Sequence, residues 1–384
     1  MTTDSAPPPD APTPGAVIAG ARRLIVKVGS ALLIDAEGAL RRDWMAALAG
    51  DLSDARARGA AVAIVSSGAV GLGAASLGLR PPLRLEEKQA AAACGQPLLM
   101  AAWAHAFAAQ DARVAQVLLT LSDADDRRRY LNARATLATL LDLGVVAVVN
   151  ENDTTATTEI RYGDNDRLAA HAAQMIGADA LILLTDVDGL YDRDPRADPA
   201  ARHVPYLARV DAAARAMAGG PNAARGAGSG GMRTKLDAAA IAGAAGCATI
   251  VAAGTAAAPL AALHDGARAT VIAAGGTPDG ARRAWIAGRL NPAGVVRVDA
   301  GAARAVRGGA SLLPAGVTAV EGAFAKGDAV RVVDPDGDGV GQGLVAYDAA
   351  DADAIKGLRT EDAEAALGYR RAALIHRDDL VLFD

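Results

Sequence analysis

The feature that most limits what this chain can fold into is a series of short, unbroken apolar runs separated by helix-length stretches. The runs lie at residues 23–28 (RLIVKV), 62–65 (VAIV), 114–119 (VAQVLL), 145–149 (VVAVV), 181–184 (LILL) and 249–251 (TIV), with a short one at 270–272. Apolar, β-branched runs that do not alternate with polar residues suit strands buried on both faces. Between them, residues 53–60, 89–110, 131–143, 166–177 and 234–246 read as helices. Such alternation implies an α/β fold: a mostly parallel sheet sandwiched between helices.

Around Trp285 the texture changes. Gly and Pro become frequent, and short strands are predicted at residues 295–298, 317–321, 329–333 and 343–347, with helices only at 350–358 and 362–368. This pattern predicts a small β-barrel of about 80–100 residues. Two domains suit a chain of 384 residues. The expected division is a disordered Pro/Ala-rich tail at 1–20, an α/β domain at 21–280 and the barrel at 285–384. Residues 1–15 lack a basic start followed by an apolar stretch, which argues against a secretory signal.

Half the residues are apolar, enough for a sizeable core. The net charge of −5 excludes a globally basic nucleic-acid binder. Cys94 and Cys247 form no CxxC pair and read as small buried hydrophobes in a reducing compartment. No apolar run is long enough for a membrane span, so a cytoplasmic protein is expected.

In an open α/β sheet, ligands bind beyond the carboxyl ends of the strands. Here those ends run into Gly29-Ser30, Ser66-Ser67-Gly68, Asn150-Glu151-Asn152-Asp153 and Thr185-Asp186-Val187-Asp188-Gly189. Beyond Arg23 at its start, Lys27 is the one charge in an otherwise apolar first strand. A lysine snorkelling from a strand end is the ordinary reading. The neighbouring Gly29 lets a phosphate approach the backbone, and a lysine supplies a point charge for it.

A second glycine-rich segment, residues 226–235 (GAGSGGMRTK), leads into a helix. Its backbone N–H groups can cradle an anion at a helix start. The GxxxxGK[ST] spacing is absent, as is a GxGxxG after the first strand. Lys27 and Lys235 can therefore grip one migrating phosphoryl group from two sides. Asp164, Asn165 and Asp166 precede a helix. One suffices as a cap, and three point to a further duty, with an aspartate orienting the lysines and an asparagine holding a small polar substrate.

Two metal-like motifs are decoys. Residues 334–339 (DPDGDG) open like a calcium loop, but the twelfth position is Val345, so a hairpin turn is predicted. Asp186, Asp188, Asp192 and Asp194 have the wrong spacing. The five histidines lack metal-ligand spacing, and no protein-held metal site is expected.

With these residues in hand, the chain resembles the glutamate 5-kinase family of the amino acid kinase superfamily, from about Arg23 to the C-terminus. The matching stretches are VKVGS (26–30), VSSGAV (65–70), LNARATL (131–137), VNENDT (149–154), GDNDRLAA (163–170), LLTDVDGLYDRDP (183–195), GSGGMRTK (228–235) and LGYRRAALIHRDDLVL (367–382). The resemblance implies an amino acid kinase sandwich followed by a PUA domain, a small barrel found also in RNA-modifying enzymes. It implies ATP- and magnesium-dependent phosphorylation of the L-glutamate side-chain carboxylate, the first step of proline biosynthesis.

By resemblance, Lys27 and Lys235 contact the ATP phosphates and Asp166 organises the two lysines. Thr185, Asp186 and the segment Ser229, Gly230, Gly231, Met232, Arg233, Thr234 and Lys235 line the nucleotide pocket. Ser67, Asn150, Asp153, Asp164 and Asn165 hold glutamate. Arg161 stands where some relatives carry Lys, and residues 218–228 are longer and richer in Ala and Gly than in relatives. The family further implies inhibition by proline, a homo-oligomer, and a reductase that takes up the acyl phosphate. The nearest rival is another kinase of the same superfamily, acting on aspartate, acetylglutamate or a nucleotide, against which the GDND block and the C-terminal barrel speak. The rival from another class is an RNA-binding barrel using Arg282, Arg283, Arg289, Arg297, Arg304 and Arg307, for which a solvated surface is the simpler account.

Overall fold

The computed structural model describes residues 8–35, 38–120, 123–124, 126–155, 165–218, 231–281, 292–369 and 373–383. These form two compact units, residues 1–278 and 279–384. The first is built on an eight-stranded sheet. Its strands are β1 (Arg23–Val28), β2 (Ala61–Ser66), β3 (Val114–Leu119), β4 (Val146–Glu151), β5 (Ala180–Thr185), β6 (Tyr206–Leu207), β7 (Ala248–Ala253) and β8 (Ala269–Ile272). The spatial order is β3-β4-β2-β1-β5-β7-β8-β6. Pairing is parallel from β3 through β7. β8 then runs antiparallel to β7. The short β6 lies parallel to β8.

Among the described residues, the helices that cover the two faces include α1 (Arg42–Ala57), α2 (Ala69–Ser76), α3 (Leu85–Ala108), α4 (Arg127–Asp142), α5 (Asn165–Ile176) and α6 (Met232–Ala244). Side chains alternate across a strand, so each strand feeds two cores. In β1, Leu24, Val26 and Val28 enter one core with Trp44, Leu48 and Trp103 from α1 and α3. Ile25 enters the other, with Leu137, Leu168 and Leu236 from α4, α5 and α6. Lys27 has the parity of Ile25, so its side chain leaves the sheet towards α5 and α6.

α1 begins eleven residues before the predicted start at 53. Trp44, Met45, Leu48, Ala49 and Leu52 bury one face of it and outweigh the poor helix propensity of Gly50. Residues 14–20, expected in a disordered tail, form a helix instead (Pro14–Gly20). Thr13 caps it and Ile18 packs into the first core. Cys247 is buried as expected, whereas Cys94 is exposed on α3.

The second unit carries five strands, β9 (Gly294–Val298), β10 (Val317–Gly322), β11 (Ala329–Val333), β12 (Gly339–Leu344) and β13 (Leu380–Leu382), in the order β10-β9-β11-β12-β13. Its separate core is led by Val296, Val330, Val332, Tyr347 and Leu374. The helix α7 (Ala300–Arg307), capped by Asp299, follows β9 where no helix was expected. The residues 334–338 turn β11 into the antiparallel β12, so the calcium-like motif is a hairpin. Arg297 pairs with Glu321 at 2.5 Å and Arg307 with Asp334 at 2.8 Å, while Arg282, Arg283 and Arg289 lie outside the described residues. Among the described residues, no helix is long and apolar enough to cross a membrane.

Candidate active site

The carboxyl ends of β1, β2, β4 and β5 open on one edge of the sheet. Lys27, one residue from the end of β1, is buried, as are Asp166 in the first turn of α5 and Lys235 in the first turn of α6. The three side chains meet. Lys27 Nζ lies 2.6 Å from Asp166 Oδ1, and Lys235 Nζ lies 3.1 Å from Oδ2. Thr234 Oγ1 stands 3.4 Å from that same Oδ2 and donates to the Gly231 carbonyl at 2.7 Å. Two buried ammoniums share one fully buried carboxylate, so these three groups together carry one positive unit. A buried charge of that kind is stable only when paired, and its surplus attracts an anion.

Gly231 caps α6 without a side-chain hydrogen bond, and Gly29 does the same for the short helix Ser30–Leu33. Both helix starts therefore present backbone N–H groups beside a lysine, a suitable lining for phosphate oxygens. Thr185 ends β5, next to β1, and its hydroxyl donates to Asp186 at 3.1 Å. Asp186 is half-exposed and lies 3.4 Å from Arg196. Met232 is partly buried and Arg233 is exposed. Ser229, Gly230, Arg161 and Asp164 lie outside the described residues.

A second cluster sits at the ends of β2 and β4. Asn165 Nδ2 donates to Ser67 Oγ at 2.7 Å, to the Ser66 carbonyl at 3.1 Å and to Asn150 Oδ1 at 3.3 Å. Behind it, the buried Trp103 indole donates to Ser66 Oγ at 2.9 Å. The loop after Ser67 turns through Gly68, at φ 103°, into α2. α2 in turn lies against α3 with no room for side chains at Gly73 and Gly95. A Cβ on Gly73 would come within 1.7 Å of the Ala91 carbonyl oxygen. The serine turn is thus backed by direct backbone contact between two helices.

The two clusters share α5: Asn165 faces the serine turn and Asp166 faces the lysines. Asp153, just past β4, is half-buried, and burial raises its pKa to about 6. Glu151 was given no role from sequence. It is buried at the end of β4, and burial, reinforced by Asp153, pushes its pKa up to about 8. Its one sequence signal is an acidic residue closing an apolar strand. Among the described residues no group of three or more His, Cys, Asp or Glu could hold a metal ion.

A parallel sheet whose strand ends bring two lysines onto one aspartate, beside an amide and hydroxyl cluster, defines a phosphotransferase domain of the amino acid kinase family. The model of that family matches residues 22–253, and the PUA domain model matches 294–367. The chain is 58% identical to a glutamate 5-kinase of Caulobacter vibrioides, over 94% of this chain and 97% of the relative. It is 55% identical to one from Paramagnetospirillum magneticum (95% and 99%) and 51% identical to one from Agrobacterium fabrum (95% and 94%). Among solved structures, the carbamate kinase from Giardia lamblia bound to AMP-PNP is similar over 67% of this chain and 99% of that one, at 18% identity and a TM-score of 0.48. The chain belongs to the glutamate 5-kinase family.

Proposed function

We propose that the protein transfers the γ-phosphoryl group of ATP to the side-chain carboxylate of L-glutamate, giving L-glutamyl 5-phosphate and ADP. The observation that carries this reading is the convergence of Lys27 and Lys235 on Asp166, beside the Ser67–Asn165–Asn150 cluster. A carboxylate is ionised at neutral pH, so the acceptor needs no general base. One of its oxygens forms the new bond to phosphorus. The bond from phosphorus to the β–γ bridging oxygen breaks, and its electron pair leaves with ADP.

Catalysis then rests on alignment and on neutralising charge as it spreads over the phosphoryl oxygens. Lys27 and Lys235 supply that charge from two sides. Asp166 keeps both ammoniums in place without discharging the cluster. Thr185, Asp186 and residues 229–235 hold the nucleotide, and Ser67, Asn150, Asp153, Asp164 and Asn165 hold glutamate. Magnesium fits as an ion carried mostly by phosphate oxygens, since the described residues offer no acidic cage. It would neutralise β- and γ-phosphate charge. Inhibition by proline at the glutamate cluster, assembly into a homo-oligomer, delivery of the acyl phosphate to a reductase, and action in the cytoplasm complete the proposal.

An ATP-dependent hydroxamate assay with glutamate, aspartate and N-acetylglutamate side by side tests it. Hydroxamate should form with glutamate at least about ten-fold faster than with either competitor. Equal or greater turnover of aspartate or N-acetylglutamate would remove the assignment.

A further inference from the structure

We propose that Glu151 is a further substrate-recognising residue, whose carboxylate joins that of Asp153 in holding the α-ammonium of the amino-acid substrate. The inference rests on the glutamate-phosphorylating activity and deepens it. Glu151 is the last residue of β4, and its main chain is tied to the amide cluster. Its N–H donates to Asn150 Oδ1 at 2.9 Å, the oxygen that also accepts from Asn165. Its carbonyl lies 3.5 Å from Gln96 Nε2, and Gln96 is fixed in turn by Gln116 at 3.1 Å. The next residue, Asn152, donates to the Leu119 carbonyl at 2.8 Å. The backbone leaves little freedom to withdraw the side chain.

Glu151 is only 7% exposed as a residue, and its carboxyl oxygens, which keep some contact with solvent, make no hydrogen bond or ion pair among the described residues. The charge it feels is the like charge of Asp153. Burying a carboxyl without a partner is costly, and a neighbouring carboxylate adds to the cost. The two cations of the adjoining centre are committed to Asp166. A bound phosphate or substrate carboxylate would repel Glu151 further. The one cation an amino-acid substrate brings is its ammonium, with three N–H donors for two carboxylates. Pairing with it would satisfy Glu151 and Asp153 together. A ligand with no ammonium, or with an acylated amine, would leave both unpaired. Sites built around such a group reject the analogue that lacks it more strongly than an apolar pocket rejects a missing methylene.

The test compares glutamate with glutarate, which lacks only the amino group. For the full-length enzyme, glutamate KM and kcat, ATP KM and the Ki of glutarate against glutamate are measured in wild type, E151Q and E151D. In E151Q, glutamate KM should rise roughly ten-fold or more, with glutarate Ki unchanged and ATP KM within about two-fold. E151D should recover part of the loss. A KM unchanged in E151Q, or glutamate and glutarate weakened in parallel, overturns the assignment of Glu151 while leaving the kinase activity standing. A wild-type enzyme inactive towards glutamate overturns both.

Discussion

At the scale of single residues, the centre is an economy of charge: two ammoniums, one carboxylate and a surplus of one. Lys27→Ala or Lys235→Ala removes that surplus and leaves the other lysine fully neutralised by Asp166. Each should lower kcat by about 10²-fold or more, the loss expected on deleting one charge-stabilising group. Steady-state kinetics by coupled ADP release checks this, and near-normal kcat for both would take the pair out of the mechanism. The acidic pair at the end of β4 has the opposite bias. Its folded pKa values, about 8 for Glu151 and about 6 for Asp153, lie above the ordinary carboxyl range. Between about pH 5 and pH 8 the folded state therefore holds more protons than the unfolded chain. Stability of the unliganded protein should fall as pH rises through that window, by on the order of a few kcal/mol. Urea midpoints across that range should show the slope in wild type and a flatter line in E151Q. The lysines and Asp166 were legible in the sequence because Lys27 breaks an apolar run, Lys235 closes a glycine-rich segment and Asp166 belongs to a polar triplet longer than a helix cap needs. Glu151 was not, because an acid at a strand end looks the same whether solvent or a ligand completes it.

At the scale of elements, the parallel strands were readable because both faces are buried, which leaves runs with no polar break. The antiparallel β8 was not, since direction is set by the sheet it joins and not by its own four residues. β12 was predicted at 343–347 and lies at Gly339–Leu344. Its alternate glycines carry no strand signal, yet the register depends on them: a Cβ on Gly341 would meet the Val381 carbonyl oxygen at 2.4 Å. The contact between α2 and α3 obeys the same logic and bears on the site. Gly73→Ala drives a methyl into the Ala91 carbonyl, and neither helix can yield without moving the other. The expected cost is about 2–3 kcal/mol of stability. Because α2 starts directly after Ser67 and Gly68, glutamate KM should rise while ATP KM holds. Denaturation and saturation curves on the same preparation check both, and a variant with wild-type stability would show the contact to be looser than its geometry.

At the scale of the whole molecule, the change of texture near Trp285 separates units with distinct cores, divided between residues 278 and 279. The proposed ligands contact residues of the first unit alone. Differential scanning calorimetry should resolve two transitions, and glutamate with a non-hydrolysable ATP analogue at about 100 times Kd should stabilise one of them by about 2.7 kcal/mol. A single transition shifted as a whole would mean that the units unfold together.

Lys27, Asp166 and Lys235 come from three well-separated stretches of the chain, the aspartate 69 residues before the second lysine. During synthesis Asp166 leaves the ribosome well before Lys235, so for that interval Lys27 is the one of the two lysines it can meet. Lys27 and Asp166 balance each other in that interval, so the positive excess that attracts an anion arises only once the glycine-rich segment and α6 have been made. α6 thus completes the anion trap and adds Leu236, Ala238, Ala239 and Ala242 to the second core, and a nascent chain halted before it would lack both.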